Sequence, residues 1–149
     1  MDWGAVCDAI AAPYGGLSDG AGTTLRSAEA LPPDAPTPPC AVAVFRSVND
    51  VVVMSGWMTG TATVDLMVLL APEADVPRRM AALLRYMTPA LSCGLAHVQI
   101  GMLPEVSSCV PTSATASLAG DSPDYAGMPF DMILLPYLVT FRTRAAVAP

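Results

Sequence analysis

The feature that most constrains this chain is a ten-residue stretch, residues 61–70, in which apolar side chains occupy every second position. One set of alternate positions holds Ala62, Val64, Leu66, Val68 and Leu70, and the other set begins with Thr61, Thr63 and Asp65. A period of two is typical of a β-strand that lays one face against a core. The chain is therefore expected to fold around a sheet, and the flanking segments must supply the other strands and the cover.

Two segments have the periodicity of amphipathic helices. In residues 3–12, which follow the capping residue type Asp2, the apolar stripe is Trp3, Val6, Cys7 and Ile10. A second helix is predicted after Asp75, with an apolar stripe of Val76, Met80, Leu83, Leu84, Met87 and Leu91. Pro89 lacks the amide that a continuing helix needs, so we expect this helix to end or kink just before it.

Three further segments read as strands. Residues 40–47 and 51–57 are apolar and flank Asn49-Asp50, a pair that favours a turn, so a hairpin is predicted there. Residues 131–144 form the last predicted strand, in which Pro136 demands an edge position or a bulge.

The remaining segments read as loops. Residues 13–39 are rich in Gly and Pro, and we interpret them as a long loop or partner-contacting arm, with an ordered surface meander as the alternative. Residues 107–122 are rich in Ser, Thr and Ala and are also predicted to be a loop. The element order favours a single α+β domain with a mainly antiparallel sheet of about four strands and two helices packed on it.

Composition indicates association. Apolar residues make up 53% of the 149 residues and charged residues 13%, about half the charged fraction of an average soluble domain. No apolar run approaches the roughly 20 residues of a membrane span. A small chain with this much apolar surface is expected to bury part of it against other subunits.

The basic residues exclude several functions. All seven are Arg and the chain has no Lys, which excludes catalysis through a lysine Schiff base or a phosphate-binding lysine. The Arg residues are scattered, and the net charge is −6, so specific nucleic-acid binding is not expected. The first residues lack the pattern of a secretory signal, which favours synthesis in the cytoplasm.

Candidate catalytic and metal-binding residues are few. Ser18 lies in a G-x-S-x-G pattern and His97 is the single histidine, but the pattern lacks the preceding strand and following helix of a nucleophile elbow. Asp121, Asp124 and Asp131 are interpreted as a solvated acidic loop rather than a metal site. We predict no catalytic residue, no metal and no cofactor. The four Cys residues are interpreted as reduced core residues, with a Cys93–Cys109 disulfide as the alternative.

The order of elements resembles the tail terminator (tail completion) proteins of long-tailed phages. The matching segments are residues 3–12, Pro38-Pro39-Cys40-Ala41-Val42, residues 61–66, residues 76–91, and Tyr125-Ala-Gly-Met-Pro-Phe130 leading into residues 137–144. Residues 92–122 depart from that family, whose members often carry a clearer helix and strand there.

The resemblance implies a non-enzymatic virion protein of the tail or neck, assembled in the host cytoplasm. Six copies would form a ring that caps the tail tube, joins it to the head-tail connector or stopper protein, and leaves a channel through which DNA passes without specific binding. The candidate inter-subunit contacts are Arg78, Arg79, Arg85, Asn49, Tyr125 and Phe130. Two alternatives remain open: another neck or tail tube subunit, and a small hydrolase using Ser18 and His97.

Overall fold

The computed structural model describes residues 1–30, 37–72, 75–96, 103–119 and 129–145. Within these residues the fold is α+β, as the sequence predicts, with two α-helices and one six-stranded sheet. The elements in chain order are α1 (Trp3–Ala11), β1 (Ser27–Ala30), β2 (Cys40–Met54), β3 (Trp57–Leu70), α2 (Val76–Ala96), β4 (Val106–Pro111), β5 (Thr115–Ser117) and β6 (Asp131–Arg144).

The sheet has more strands than the sequence predicts, and it is mixed. Its order is β1-β2-β3-β6-β4, and β5 also pairs with β6. The β1–β2 pair is parallel and the other pairs are antiparallel. The expectation of about four antiparallel strands missed β1, β4 and β5, which are short strands along the two edges.

The sheet is covered on one face by both helices. The alternating residues of β3 from Ala62 to Leu70 meet Val6 and Ile10 of α1 and Leu83 of α2 in the main core. Trp3 packs edge-on against Phe141 of β6, with ring centroids 5.1 Å apart. A smaller cluster lies on the opposite face at one end of the sheet, built from Cys40, Val42, Met67, Leu69, Phe130 and Met132.

The long hairpin turns at Ser55-Gly56, not at Asn49-Asp50 as the sequence predicts. Ser55 and Gly56 have φ values of 52° and 79°, the positive values of the tight turns that match strand twist. Asp50 also has a positive φ, 54°, but there the chain makes a bulge between Asn49 and Val52 and stays in β2. The Asn-Asp pair thus marks an irregularity within a strand.

Pro136 is tolerated in an interior strand without a bulge on its β3 side. It pairs with Asp65 in a continuous β3–β6 register, and its carbonyl accepts a hydrogen bond from the Thr112 amide at 2.9 Å. The amide position of a strand residue faces the same neighbour as its carbonyl. The missing N–H of Pro136 therefore falls at the break between β4 and β5, where no ladder bond is required.

Three other sequence expectations are corrected. Helix α2 continues through Pro89 to Ala96, because the turns beyond it bury Ala90 and Gly94 against the core. Within residues 107–119, predicted to be a loop, the backbone forms most of β4 and all of β5. The described part of the 13–39 segment includes a 3₁₀ turn, Ala12–Tyr14, and strand β1. Tyr14 and Leu25 of that segment are buried, so this part packs on the body of the protein.

Candidate interaction surfaces

The hairpin end of the sheet exposes a run of apolar side chains. Val51, Val52, Val53 and Met54 end strand β2, and their exposed fractions rise from 47% at Val51 to 70% at Met54. The Val51–Met54 segment is the exposed end of β2, and neither α1 nor α2 covers it. We call this segment the hairpin tip. Four consecutive exposed apolar residues are unusual on a monomeric surface, so this segment is a candidate contact site.

Two arginines lie beside the hairpin tip. The guanidinium carbons of Arg142 and Arg144 stack over the Trp57 ring, 4.3 Å and 5.4 Å from its centroid. Trp57 pairs with Met54 on one side and with Arg144 on the other, which places both charges at the end of the sheet. Among the described residues no carboxylate lies within 4 Å of either guanidinium. This end of the molecule therefore combines apolar surface with two arginines, and Glu105 lines the same cleft as both.

The outer edge of β2 carries no strand partner over most of its length in the described part of the chain. β1 pairs with Cys40–Ala43 alone, which leaves Val44–Met54 unpaired on that side. Register shifts occur in this region between Phe45 and Ser47 and between Asn49 and Val52. Such bulges bend an edge and disfavour its continuation by a strand from another molecule.

A second apolar surface lies on helix α2. The stripe predicted from the sequence is wider than the buried face: Leu83 is fully buried, whereas Val76 and Leu84 are 58% and 52% exposed. Asp75 caps the helix as predicted, its Oδ1 accepting the Arg78 amide at 3.1 Å. We call Val76 and Leu84 the helix shoulder, and the exposed side chains of Asp75 and Arg78 flank its first turn.

Two of the predicted contact residues make their contacts within the chain. Arg79 forms a two-pronged ion pair with Asp131, with distances of 2.7 Å from Nη2 to Oδ1 and 3.1 Å from Nε to Oδ2. Burial raises the pKa of the Asp131 carboxyl, but the Arg79 hydrogen bonds, the Ala119 amide and the Arg79 charge outweigh burial and lower it. Phe130 is buried in the smaller cluster. Inter-subunit roles for Arg79 and Phe130 stay predictions; Phe130 is buried, and the Arg79 side chain is 17% exposed.

The other predicted contacts are at the surface or outside the described residues. Arg78 is 81% exposed, 3.9 Å from Asp75 in a loose ion pair. Asn49 is exposed on β2 and its side-chain amide donates to Ser47 Oγ at 3.1 Å. Arg85 is exposed on α2. Tyr125 lies outside the described residues.

Arg85 lines a cleft of about 260 Å³ between α2 and the segment before β1. Arg26, Asp19 and Tyr86 contribute to its walls. The pKa of the Asp19 carboxyl is lowered first by the Ala21 amide, 2.7 Å away, and then by the Thr23 amide and Arg85. The hydroxyl of Tyr86 has no hydrogen-bond partner among the described residues. Because it is shielded from solvent, a ligand in the cleft would not contact it.

The surroundings of Ser18 differ from those of a catalytic serine. Its Oγ accepts the Gly20 amide at 3.1 Å, and its backbone bridges to Thr24 within the same segment. A 3₁₀ turn precedes it and a short strand follows, so the described chain has no strand-turn-helix at this position. His97 lies outside the described residues, so the proposed Ser18–His97 pairing has no observation for or against it.

The buried polar groups are structural. Tyr14 and Tyr137 share a 2.5 Å hydrogen bond beneath α2, and Tyr14 also donates to the Ala90 carbonyl at 3.2 Å. Burial raises the pKa of the Tyr137 hydroxyl to about 12. The four cysteines are thiols, as interpreted from the sequence, and no Cys93–Cys109 disulfide forms. Burial raises the thiol pKa to about 11 at Cys40 and about 12 at Cys109, which makes these groups poor nucleophiles.

The described residues contain no cluster of three or more His, Cys, Asp or Glu side chains suited to a metal ion. Asp131, considered above with two other acids, is instead the partner of Arg79, and Asp121 and Asp124 lie outside the described residues. No helix in the described ranges has the length and apolar character needed to cross a membrane.

Comparison with known proteins gives no family to which the chain can be assigned: no family model matches it, and no curated protein matches it significantly. The surfaces described above are therefore the main evidence about function. Sequence reasoning missed the hairpin tip because it assigned residues 51–57 to a second strand after a turn at Asn49-Asp50. It missed the contact of Arg142 and Arg144 with Trp57 because they lie in a different strand from Trp57. The run of three valines followed by Met, without an intervening polar residue, was the available signal.

Proposed function

We propose that this protein is a structural virion component of the tail terminator type, a non-enzymatic subunit that forms a hexameric ring. The ring would cap the tail tube and join it to the head-tail connector. The single observation that carries the proposal is the pair of exposed apolar surfaces, the hairpin tip and the helix shoulder, on one small α+β chain. The element order that resembles this family adds to it.

Charge supports the channel that this function needs. Six copies at −6 each carry −36, and a negatively charged ring repels phosphate rather than binding it. A channel of this kind passes DNA without holding it. The chain would then be located in the tail or neck of the virion, with the tube and connector proteins as its partners.

The test is the solution mass of the purified chain, measured by light scattering after size exclusion over a range of concentrations. We expect a discrete hexamer, or a monomer that assembles into a ring when tail tubes are added. Growth without a fixed end would favour a tail tube subunit. A monomer at every concentration that also ignores tail tubes would contradict both functions.

A hydrolase is tested separately with Ser18→Ala. No esterase activity is expected in the unsubstituted protein. Activity that the substitution abolishes would overturn the structural proposal, and activity that survives it would exclude Ser18 as the nucleophile.

A further inference from the structure

The strand register separates the side chains at the hairpin end of the sheet into two faces. On β3, Ala62 and the alternate residues after it face the helices, so Trp57 and Thr59, at the other set of alternate positions, face away from them. Residues paired directly across a sheet share a face. The helix-free face therefore carries two rows here: Met54, Trp57 and Arg144 in one, and Val52, Thr59 and Arg142 in the next. We call these residues the arginine face.

Trp57 orients the two guanidiniums of the arginine face. The guanidinium carbons of Arg142 and Arg144 lie 4.3 Å and 5.4 Å from the centroid of its ring, within the range of a cation–π contact. A stacked guanidinium presents its N–H groups along its edges, where one carboxylate accepts two of them at once. Positions two apart on a strand are separated by about 6.6 Å, so the face presents two carboxylate-binding groups at that spacing.

The local charge around these arginines is positive. Among the described residues, no carboxylate lies within 4 Å of either guanidinium. Glu105 lines the same cleft as Arg142 and Arg144, but its Oε2 lies 3.8 Å from the Met1 amino group, which is itself positively charged. The described lining of the cleft thus carries more positive than negative charge, although the net charge of the chain is −6. A local excess of this kind attracts anions.

The apolar members of the arginine face indicate the kind of anion. Val52 and Met54 are 52% and 70% exposed. A free phosphate would leave both side chains in water, whereas a protein segment with aliphatic residues near its carboxylates covers them. Nucleic acid is disfavoured, because two arginines neutralise few phosphates and the net charge of −6 repels a polyanion. Strands β2 and β6 flank β3 and lie about 10 Å apart, so one short segment reaches both parts of the face.

A second copy of this chain is a poor source of the carboxylates. Most acidic side chains of the described residues already accept a hydrogen bond or an ion pair within the chain: Asp2, Asp19, Asp65, Asp75, Glu105 and Asp131. The exposed acids that remain in the described part lie on three separate elements: Asp8, Glu29 and Asp50. Glu73 and Asp75 are two positions apart in the sequence, but Asp75 is held by Arg78.

We propose that the arginine face binds an acidic segment of a different protein, whose neighbouring carboxylates dock on Arg142 and Arg144. An aliphatic side chain of the same segment packs on Val52 and Met54. Each guanidinium donates two N–H groups to one carboxylate, and Trp57 holds the guanidiniums in position for this contact. The inference goes beyond the ring and does not depend on it.

The probe is a fluorescein-labelled peptide that contains Glu-Ser-Glu followed by Leu-Ser-Leu. Its binding to the full chain is followed by fluorescence polarisation, and a matched peptide has Gln in place of both Glu residues. We expect the acidic peptide to bind at least about tenfold more tightly than the Gln peptide, because charge-assisted hydrogen bonds to two arginines supply the difference. Equal binding of the two peptides, or no binding of either, would overturn the proposal.

Variants of the chain locate the binding on the arginine face. The double variant Arg142→Gln with Arg144→Gln is expected to bind both peptides equally. Both side chains are exposed, so we expect it to keep the wild-type thermal unfolding transition, and Arg144→Gln alone replaces it if the double variant fails to fold. Arg78→Gln removes the same charge from an 81% exposed position on α2 and is expected to bind like wild type. Equal weakening by both charge removals would overturn the assignment to this face.

Two further outcomes would assign the face to another occupant and overturn the proposal. One is a single-stranded oligonucleotide that binds more tightly than the acidic peptide and is lost in the double variant. The other is self-association of wild type that the double variant abolishes. The terminator function is decided separately by the solution mass. Hexamers that ignore the acidic peptide would leave that function standing, and a permanent monomer that binds the peptide through both arginines would support the face alone.

Discussion

Gly60 lies where two strands and an aromatic ring meet. A Cβ at this position would lie 3.0 Å from the Asn49 carbonyl oxygen and 3.1 Å from Cζ of Phe141. The Phe141 ring is buried and packed against Trp3, so it has little room to move. We expect Gly60→Ala to lower the free energy of unfolding by about 1–3 kcal/mol through overpacking, measured by urea denaturation.

Gly15→Ala is the matched control for that measurement. Gly15 has an ordinary φ of −61°, and a Cβ there would lie 3.4 Å from the Ala12 carbonyl oxygen, a normal contact. A surface substitution of this kind is expected to change stability by less than about 0.5 kcal/mol. Equal losses at both glycines would show that the Phe141 contact is not the cause at Gly60.

The buried tyrosines form a short chain of hydrogen bonds. Because Tyr14 donates to Ala90, Tyr137 must donate to Tyr14. We expect Tyr137→Phe to cost about 1 kcal/mol of stability, and Tyr14→Phe more, since it removes both bonds. The double variant is expected to lose less than the sum, because the two residues share one bond. Strictly additive losses in a denaturation cycle would contradict this coupling.

At the scale of elements, Asp131 joins three parts of the chain. Its carboxylate, at the start of β6, accepts from Arg79 of α2 and from the Ala119 amide just after β5. We expect Asp131→Asn to lower the free energy of unfolding by about 2 kcal/mol, since it weakens hydrogen bonds to a charged group. Urea denaturation at pH 7 measures the loss, and a neutral result would contradict the role of this ion pair.

The same carboxylate has a defined pH dependence. Its pKa is lower in the folded chain than in the unfolded chain, so the unfolded chain binds more protons near pH 4. The contribution of this carboxylate to stability is therefore present above its unfolded pKa of about 3.9 and is lost as pH falls through its folded pKa. The difference in stability between wild type and Asp131→Asn is expected to shrink as pH falls below about 4, and a constant difference would contradict it.

The elements with strong local signals were predictable. Strand β6 matches the predicted residues 131–144, and α1 matches its capped apolar stripe to within one residue. β4 and β5 were not predictable, since they are only six and three residues long, their Ser and Ala residues carry little strand preference, and their backbone bonds come from β6. The interior position of β6 was missed for a related reason. Pro136 is accommodated by the gap between β4 and β5, and that gap depends on the neighbouring strands rather than on β6 itself.

At the scale of the whole molecule, an excess of exposed apolar surface was predictable from the sequence, but the location of that surface was not. The low charge content predicts excess apolar surface, and the structure places part of it at Val51–Met54 and on α2. Of the predicted contacts, Arg78 and Asn49 are exposed near these surfaces, whereas Arg79 is held by Asp131. Spacing on a helix shows that Arg78 and Arg79 both lie off the apolar stripe, but the location of Asp131 depends on the tertiary fold.

The buried thiols and phenols together predict a loss of stability at high pH. Burial raises the pKa of Cys40 to about 11 and of Cys109 and Tyr137 to about 12, above the unfolded values of about 9 for Cys and 10 for Tyr. Between the unfolded and the folded pKa values, the folded chain therefore binds more protons than the unfolded chain. The contribution of these groups to stability is fully present below about pH 9 and falls as pH rises. We expect the thermal midpoint to stay level from about pH 7 to 8.5 and to decline above pH 9. Cys109→Ala is expected to decline less steeply, and an equal slope would contradict the role of this thiol.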